Sequence, residues 1–321
     1  MNSSLDISVV IPLYNEEESL NELCSWIDKV MVENDYKYEI LLIDDGSTDS
    51  SWKVITELSS QLSSIKGIKF NRNYGKSAAL NTGFKHANGE VIITMDADLQ
   101  DSPDEIPALA KMITEDGLDL VSGWKKKRHD PISKTIPSKF FNFVTRLFSG
   151  IKIHDFNCGL KSYNKKVVKT IDVYGEMHRY IPFIAKWHGF DKIGELAVEH
   201  RARKYGTTKF GLERFIFGFL DLISITFVSK FKKRPMHFFG TFGTLSMLAG
   251  LMITLWVIGS KVYKIYNHLP VRDVVDQPIF FLALVAIIIG VQLFLAGFLA
   301  EMMIQTGTKK KDYIVSEKLG F

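Results

Sequence analysis

The sequence predicts an α/β domain built on a mainly parallel sheet, followed by interfacial helices and two membrane-spanning helices. Two observations predict this. Through the first two thirds of the chain, short β-branched runs each end in a polar loop and give way to helical spacing, the pattern of a sheet covered on both faces. Further on, Pro235 to Ser260 and Gln277 to Ala300 contain no Asp, Glu, Lys or Arg. Each is long enough to cross about 30 Å of hydrocarbon at about 1.5 Å per residue, and core helices rarely run so far without a charge. The 321 residues suffice for one large or two ordinary domains with a sizeable core.

The elements follow in order. "ISVVIPLYNEEESL" opens with a strand over Ile7 to Ile11 that ends at Pro12, and helical spacing is expected from Glu16, with Leu20, Leu23, Ile27 and Val30 on one face. "YEILLIDDGSTDS" repeats the pattern, with a strand over Tyr38 to Ile43 and a helix capped near Ser47 or Thr48. "GEVIITMDADLQ" is a further strand, and Pro103 suits the first turn of the next helix. "LDLVSG", 118–123, supplies another strand. In open sheets of this kind ligands bind beyond the carboxyl ends of strands. Three polar loops are expected there: Pro12 to Glu17, Asp44 to Asp49, and Asp96 to Asp101.

Charge and cysteine usage narrow the class. A net charge of +4 is too mild to suggest nucleic acid. The basic residues cluster beside the apolar runs, as "SKFKKRP" before the first and "KKK" at 309–311 after the second, where they suit anionic lipid head groups. The positive-inside rule then places both termini and the large N-terminal domain in the cytoplasm, and "MNSSLDIS" carries no apolar signal segment. Cys24 and Cys158 make no disulfide framework, which fits a reducing compartment. Neither a G-x-G-x-x-G after a strand nor a G-x-x-x-x-G-K-[ST] is present, so a nucleotide here needs another way to have its phosphates held.

The stretch "VIITMDADLQDSPDEIP" crowds five acids, Asp96, Asp98, Asp101, Asp104 and Glu105, just past a core strand. Asp104 and Glu105 suit a helix N-terminus. Asp96 and Asp98 share a side if the backbone stays extended and converge on one ion if it turns. Unpaired carboxylates beside a sheet are costly. A hard divalent cation such as Mg2+ or Mn2+ relieves that cost by bridging one or two carboxylates to substrate phosphates.

Four motifs occur in order: "VVIPLYNEEESL", "EILLIDDGSTDS", "NYGKSAALNTGFKHANGEVIITMDADLQDSP" and "RKYGTTKF". Together they resemble the inverting family-two glycosyltransferases, whose nucleotide-sugar fold is called GT-A. With the two C-terminal spans, the chain resembles the polyprenyl-phosphate glycosyltransferases, a group that includes dolichyl-phosphate mannose synthases and bacterial undecaprenyl-phosphate glucosyltransferases. The resemblance implies a cytosolic GT-A domain over 1–210, an interfacial amphipathic region over 211–234, and a two-helix transmembrane part with a cytosolic tail over 235–321.

The resemblance also places roles on residues. Pro12, Tyr14, Glu16 and Asp45 become contacts to the donor's base and ribose, while Asp44 is structural. Lys76 lies where relatives keep a basic residue near the diphosphate. Asp96, Ala97 and Asp98 match the diphosphate cluster, with Asp96, Asp98 and Gln100 as the metal group. Glu17 and Glu18 read as a solvated helix start. For the lipid phosphate the candidates are Arg128, in the basic loop "WKKKRHD", with Lys134, Arg203 and Lys209; Arg serves a phosphate bidentately. The segment 134–148 suits either a core helix or an interfacial helix that guides a lipid tail, and 211–231, mostly apolar but broken by Glu213, Arg214 and Asp221, is expected to lie at the interface without spanning. Asp155, in "HDFNCGLKSY", keeps the acidic position of a loop near the reacting centre. It can take a residual proton, orient the acceptor or hold a basic neighbour. Relatives often have Ser-Gly-Phe-Arg where this chain has Cys158-Gly159-Leu160-Lys161.

The implied activity is transfer of a hexose from a nucleotide sugar to polyprenyl (undecaprenyl) phosphate, inverting the anomeric centre, by a homo-oligomer in the cytoplasmic membrane. Glucose from UDP-glucose is the first expectation for the donor. GDP-mannose, UDP-N-acetylhexosamine, UDP-galactose and aminoarabinose derivatives are the alternatives. A processive polysaccharide synthase shares the N-terminal half but carries a Q-x-x-R-W motif, absent here. A membrane scaffold with a degenerate nucleotide domain would not need its acids intact.

Overall fold

In the computed structural model, which describes residues 5–126, 142–147, 149–201, 204, 235–306 and 315–320, eight strands form one mixed sheet in the order β7-β5-β6-β4-β1-β2-β3-β8. The central strands are β1 (Ile7–Leu13), β2 (Tyr38–Asp44), β3 (Ile65–Phe70) and β4 (Val91–Thr94). β1 pairs in parallel with both β2 and β4, and β2 with β3. β5 (Leu120–Trp124) is parallel to β7 (Ile193–Ala197), while β6 (Lys161–Asn164) runs antiparallel to both β4 and β5. Side chains alternate between faces at a period of two. Val9, Ile11, Ile40 and Leu42 pack on one side, Val10, Leu41 and Ile43 on the other. Both faces are buried, which is why these strands read as unbroken apolar runs.

Helices cover each face. On the first lie α1 (Leu20–Glu33), α2 (Ser51–Gln61) and α4 (Ile106–Thr114); on the second, α3 (Lys76–His86), α5 (Lys165–Thr170) and α6 (Ile181–Trp187). In α1, Leu20, Leu23, Ile27 and Val30 are buried together, as the spacing predicts.

Three boundaries differ from the sequence reading. β1 continues through Pro12 to Leu13. Val10 faces β4, since its carbonyl accepts the Met95 N–H; Pro12, two residues on, faces the same side. There β4 has already ended, so the missing proline N–H leaves no ladder bond unmade. α1 starts at Leu20 and not Glu16, and α2 at Ser51 and not near Ser47. The intervening residues serve as loop-to-loop ties: the Asn15 N–H donates to Ser47 Oγ at 2.9 Å and the Asn15 amide oxygen accepts the Thr48 N–H at 2.8 Å.

The chain divides into two compact units, Met1–Ile225 with Asp312–Phe321, and Thr226–Lys311. The segment after the second apolar helix thus adds a strand to the sheet, which the sequence reading of a cytosolic tail did not include. Its strand, β8 (Val315–Leu319), pairs antiparallel with β3, and Glu317 accepts the Trp52 indole N–H at 2.8 Å. A short strand with charged residues is typical of a sheet edge, and carries little apolar signal.

The second unit holds α7 (Pro235–Tyr266) and α8 (Pro278–Thr306). Both are long and apolar enough to cross a membrane. Most of their large apolar side chains are exposed, unlike core helices. They meet through small residues: a Cβ on Gly250 would lie 2.5 Å from the Ala283 carbonyl, and one on Gly290 2.7 Å from that of Gly243. The Ser246 hydroxyl donates to the Ala286 carbonyl at 2.8 Å. Such close backbone approach is how apolar helices associate where the surroundings are equally apolar.

Glu39 gives the folded unit a pH signature. It is buried on β2, accepting the Ser8 hydroxyl at 2.6 Å and the Asn88 N–H at 2.7 Å, with Lys66 Nζ at 3.0 Å. Burial works to raise its pKa, but the two hydrogen bonds and Lys66 together hold it below the ordinary glutamate value. A depressed folded pKa gives stability that is full above the unfolded value of about 4.3 and is lost as pH falls through the folded one. Glu39→Gln is therefore expected to lower the melting temperature at pH 7 and to flatten its fall below about pH 4.3, read by thermal denaturation across pH. An unchanged acid limb in the variant would contradict this.

Candidate active site

Because β1, β2 and β4 run parallel and adjacent, their carboxyl ends present three polar loops side by side. These are the loops marked in the sequence, and a fourth segment, 155–161, leads into antiparallel β6 beside the end of β4.

The first two loops are knitted together. The Glu17 carboxylate accepts the Ser50 N–H at 2.7 Å, before the first turn of α2. It is a cap to the neighbouring helix, not a solvated start to its own. Glu16 donates its N–H to Ser51 Oγ at 3.0 Å, and Tyr14 stands exposed at the tip of β1. Both acids of "DDGS" are buried. Asp44 Oδ1 accepts the Ser47 N–H at 2.8 Å. Asp45 accepts the N–H groups of Tyr74 and Gly75 at 2.7 and 2.9 Å, so it fixes the entry to α3. Burial raises the pKa of both, against the pull of these donors.

Lys76, the first residue of α3, reaches back and forms an ion pair with Asp96. Beyond Asp96 the chain turns sharply: Leu99 takes φ 58° and Asp98 Oδ1 accepts the Gln100 N–H at 3.2 Å. The backbone turns at Ala97 and Asp98 and does not continue extended. The Gln100 carbonyl accepts the Arg201 N–H at 2.9 Å, and Ala97 is buried beneath. Burial alone would raise the Asp96 pKa; Lys76 first, then the charges of Lys125 and Lys161, hold it down to about 2.

Gly159 packs directly on this carboxylate. A Cβ there would lie 2.6 Å from Asp96 Cγ, so only glycine lets the 155–161 loop close over Asp96. Lys161 is buried, and its ammonium donates to the Cys158 carbonyl. Burial lowers its pKa, helped by the Lys76 charge and opposed by Asp155 and Asp96. Asp155 is buried, with Oδ1 accepting the Asn157 N–H at 3.0 Å. Both cysteines are buried and free, and burial pushes each thiol up to about 12, so neither is a nucleophile.

A cleft lined by Pro12, Lys76, Asp96, Asn157, Lys161 and His178, among others, joins these parts. Sequence reasoning named Lys161 only as the counterpart of the relatives' arginine, and it missed His178, a lone histidine that no motif marks. In the basic loop "WKKKRHD", Lys125 is largely buried against Asp101 at 2.8 Å, a pairing the sequence did not signal. The acceptor candidates Arg128, Lys134, Arg203 and Lys209, like the 211–234 region, lie outside the described residues.

Among the described residues, no three His, Cys, Asp or Glu side chains could hold a metal ion by themselves. Two carboxylates at a loop that Lys76 reaches from α3 still fit Mg2+ or Mn2+, which commonly take one or two carboxylates and complete their shell with substrate phosphates and water. Asp96 is partly exposed and kept ionised, as such a ligand must be.

Comparison with known proteins agrees with this arrangement. Residues 8–172 match the family described as glycosyl transferase family 2. The chain is 36% identical over 306 residues, 94% of itself and 89% of the relative, to a dodecaprenyl-phosphate galacturonate synthase of Rhizobium johnstonii. It is 34% identical over 253 residues to an undecaprenyl-phosphate 4-deoxy-4-formamido-L-arabinose transferase of Klebsiella pneumoniae, covering 78% of this chain and 75% of that one. Among solved structures, glucosyl-3-phosphoglycerate synthase from Mycobacterium tuberculosis, determined with Mn2+ and UDP-glucose, aligns over 70% of this chain and 78% of its own, with TM-score 0.54 and 19% identity. Mannosyl-3-phosphoglycerate synthase from Rubrobacter xylanophilus aligns over 68% and 73%, with TM-score 0.57 and 14% identity. At these identities the likeness is one of fold, and the fold is GT-A. The match over residues 8–172 and the similarity over 94% of the chain make this a glycosyltransferase belonging to glycosyl transferase family 2.

Proposed function

We propose that this chain transfers a sugar from a nucleotide-sugar donor to a polyprenyl phosphate at the cytoplasmic face of the inner membrane. The carrying observation is the cleft in which Lys76 meets Asp96 under the 155–161 loop, in a chain similar over nearly its whole length to a polyprenyl-phosphate sugar transferase. The two apolar helices and the flanking basic runs support a membrane location with both termini cytoplasmic. The domain roles follow: Met1–Ile225 with the returning β8 segment carries catalysis, Thr226–Lys311 the anchorage.

The chemistry is one in-line displacement. An acceptor phosphate oxygen forms a bond to the anomeric carbon while the bond from that carbon to the diphosphate oxygen breaks, inverting the centre. A phosphate monoester with a second pKa of about 6 is already mostly anionic near neutral pH, so the site has little need of a strong base. Its harder task is to bring two anions together. Asp96 and Asp98, with Gln100 beside them, would hold the Mg2+ or Mn2+. When bound, that ion supplies Lewis-acid stabilisation of the leaving diphosphate. Lys76 turns from Asp96 to the diphosphate when the donor arrives, while Pro12, Tyr14, Glu16 and Asp45 line the side of the base and ribose. Asp155 holds the 155–161 loop and balances the Lys161 charge, the last of the three roles open to it. Arg128, Lys134, Arg203 and Lys209 take the lipid phosphate.

For the donor, the relatives' names favour a galacturonate or a 4-amino-arabinose derivative over glucose from UDP-glucose. The test is a panel of labelled donors (UDP-galacturonic acid, UDP-4-deoxy-4-formamido-L-arabinose, UDP-glucose, GDP-mannose and UDP-N-acetylglucosamine) with undecaprenyl phosphate and purified protein. Label in a lipid-soluble, mild-acid-labile product supports the proposal. Label in polymer, or no transfer from any donor, overturns it.

A further inference from the structure

His178 lies outside every motif that marked the site, in a short 3-10 turn, Met177–Tyr180, before α6. Its backbone N–H donates to Ser77 Oγ at 3.0 Å, and the same oxygen lies 3.1 Å from its ring Nδ1. Ser77 is buried in the first turn of α3, directly after Lys76. Among the described residues the buried Ser77 hydroxyl has no other acceptor for its own proton, which therefore goes to Nδ1. That assigns the tautomer: Nδ1 accepts, and the proton sits on Nε2. Burial, with the Lys76 and Arg179 charges, also drives the His178 pKa well below its ordinary value, so the ring is neutral near pH 7.

The opposite edge of the ring therefore carries an N–H donor. Among the described residues no protein group accepts from it, and His178 lines the cleft with Lys76 and Asp96. His178 is half-buried, so this N–H is open to a ligand entering the cleft. Lys76 and the two acids account for the diphosphate and its cation. The cleft is also lined by the polar Asn157 and Lys161 and the apolar Leu80 and Ile181. A mixed polar and apolar lining suits a sugar. A neutral donor suits a hydroxyl, where a phosphate would be better served by a cation.

We infer that His178 is a donor-sugar contact: its Nε2–H, set by the Ser77 hydroxyl, donates to a hydroxyl of the sugar being transferred. The inference rests on the nucleotide-sugar reading of the cleft and adds a residue to it.

The experiment measures binding, so that it does not depend on turnover. Full-length protein in nanodiscs is titrated with Mn2+ and either UDP or UDP-galacturonic acid, and the titration is repeated with UDP-glucose. His178→Leu should weaken the UDP-sugar about tenfold, the scale of one lost hydrogen bond, and leave UDP within about twofold. His178→Gln, whose amide nitrogen can stand in for Nε2, should recover most of the loss. Ser77→Ala, which frees the tautomer, should show a smaller loss confined to the same ligand. Equal loss of UDP and UDP-sugar, no loss at all, or no recovery by Gln overturns the assignment. A wild-type chain that shows this binding pattern but transfers no sugar would refute the proposed activity and leave His178 standing. One that binds neither UDP-sugar refutes both.

Discussion

Asp96→Asn is expected to lower sugar transfer by about a hundred- to a thousandfold or more, the usual scale for removing one charged stabiliser of a leaving group. The change is nearly isosteric, so it isolates charge. It removes a carboxylate held ionised, with a pKa down to about 2, and leaves Lys76 without its ion pair. Asp98→Asn should cost a similar factor through the same cation. Two further readouts separate the chemistry from the fold. Mn2+ binding in the presence of UDP should weaken in both variants, and a chelator should abolish wild-type transfer until Mg2+ or Mn2+ is restored. The melting temperature should stay within a few degrees of wild type, because Asp96 sits in an open cleft and not in the core. A variant at either position with wild-type turnover would remove the basis for the proposed role of the acids.

The second large effect concerns stability. Lys125→Met is expected to destabilise the catalytic unit by about 3–5 kcal/mol, because it leaves Asp101 as an uncompensated buried charge. The pair is close, 2.8 Å, with Asp101 fully buried. Burial disfavours the Lys125 ammonium, but Asp101 chiefly, with Asp96 beyond, holds its pKa above the ordinary lysine range. Asp101 also bridges to His200, so the pair anchors the far end of the loop that presents Asp96 and Asp98. Transfer should therefore fall along with the melting temperature. Asp101→Asn combined with Lys125→Met should recover much of the lost stability, since the double variant buries no net charge. Thermal unfolding of the four proteins closes the cycle. A double variant as unstable as the sum of the singles would refute the coupling.

How much of this was legible beforehand depended on whether a residue's role was local. β1, β2 and β4 were readable because strands buried on both faces need unbroken apolar runs, and their loops because polar residues cluster where a strand must end. α3 was not readable. Its helix is hemmed in on several sides, with Ser77 to Phe84 all buried, and Gly83 packed against the Val10 side chain. It therefore needs small residues all round and shows no amphipathic face. β8 was unreadable for the opposite reason: five mostly polar residues at an edge signal nothing until β3 is there to pair with them. At the site, the spacing of Asp96 and Asp98 betrayed them. Lys161, His178 and the Lys125–Asp101 pair each owe their role to a partner far along the chain.

By itself the sequence determined the class of molecule: a doubly covered sheet, two lipid-length apolar helices, and an acid pair placed where a strand releases its ligand-binding loop. Those are matters of periodicity and composition, which act over neighbouring residues. Tertiary structure alone decided which groups face one another across the cleft. Only there does Lys76 meet Asp96, Gly159 leave room for that carboxylate, and Ser77 orient the ring of His178. Contacts between distant segments are set by the path of the folded backbone, and no local pattern encodes them.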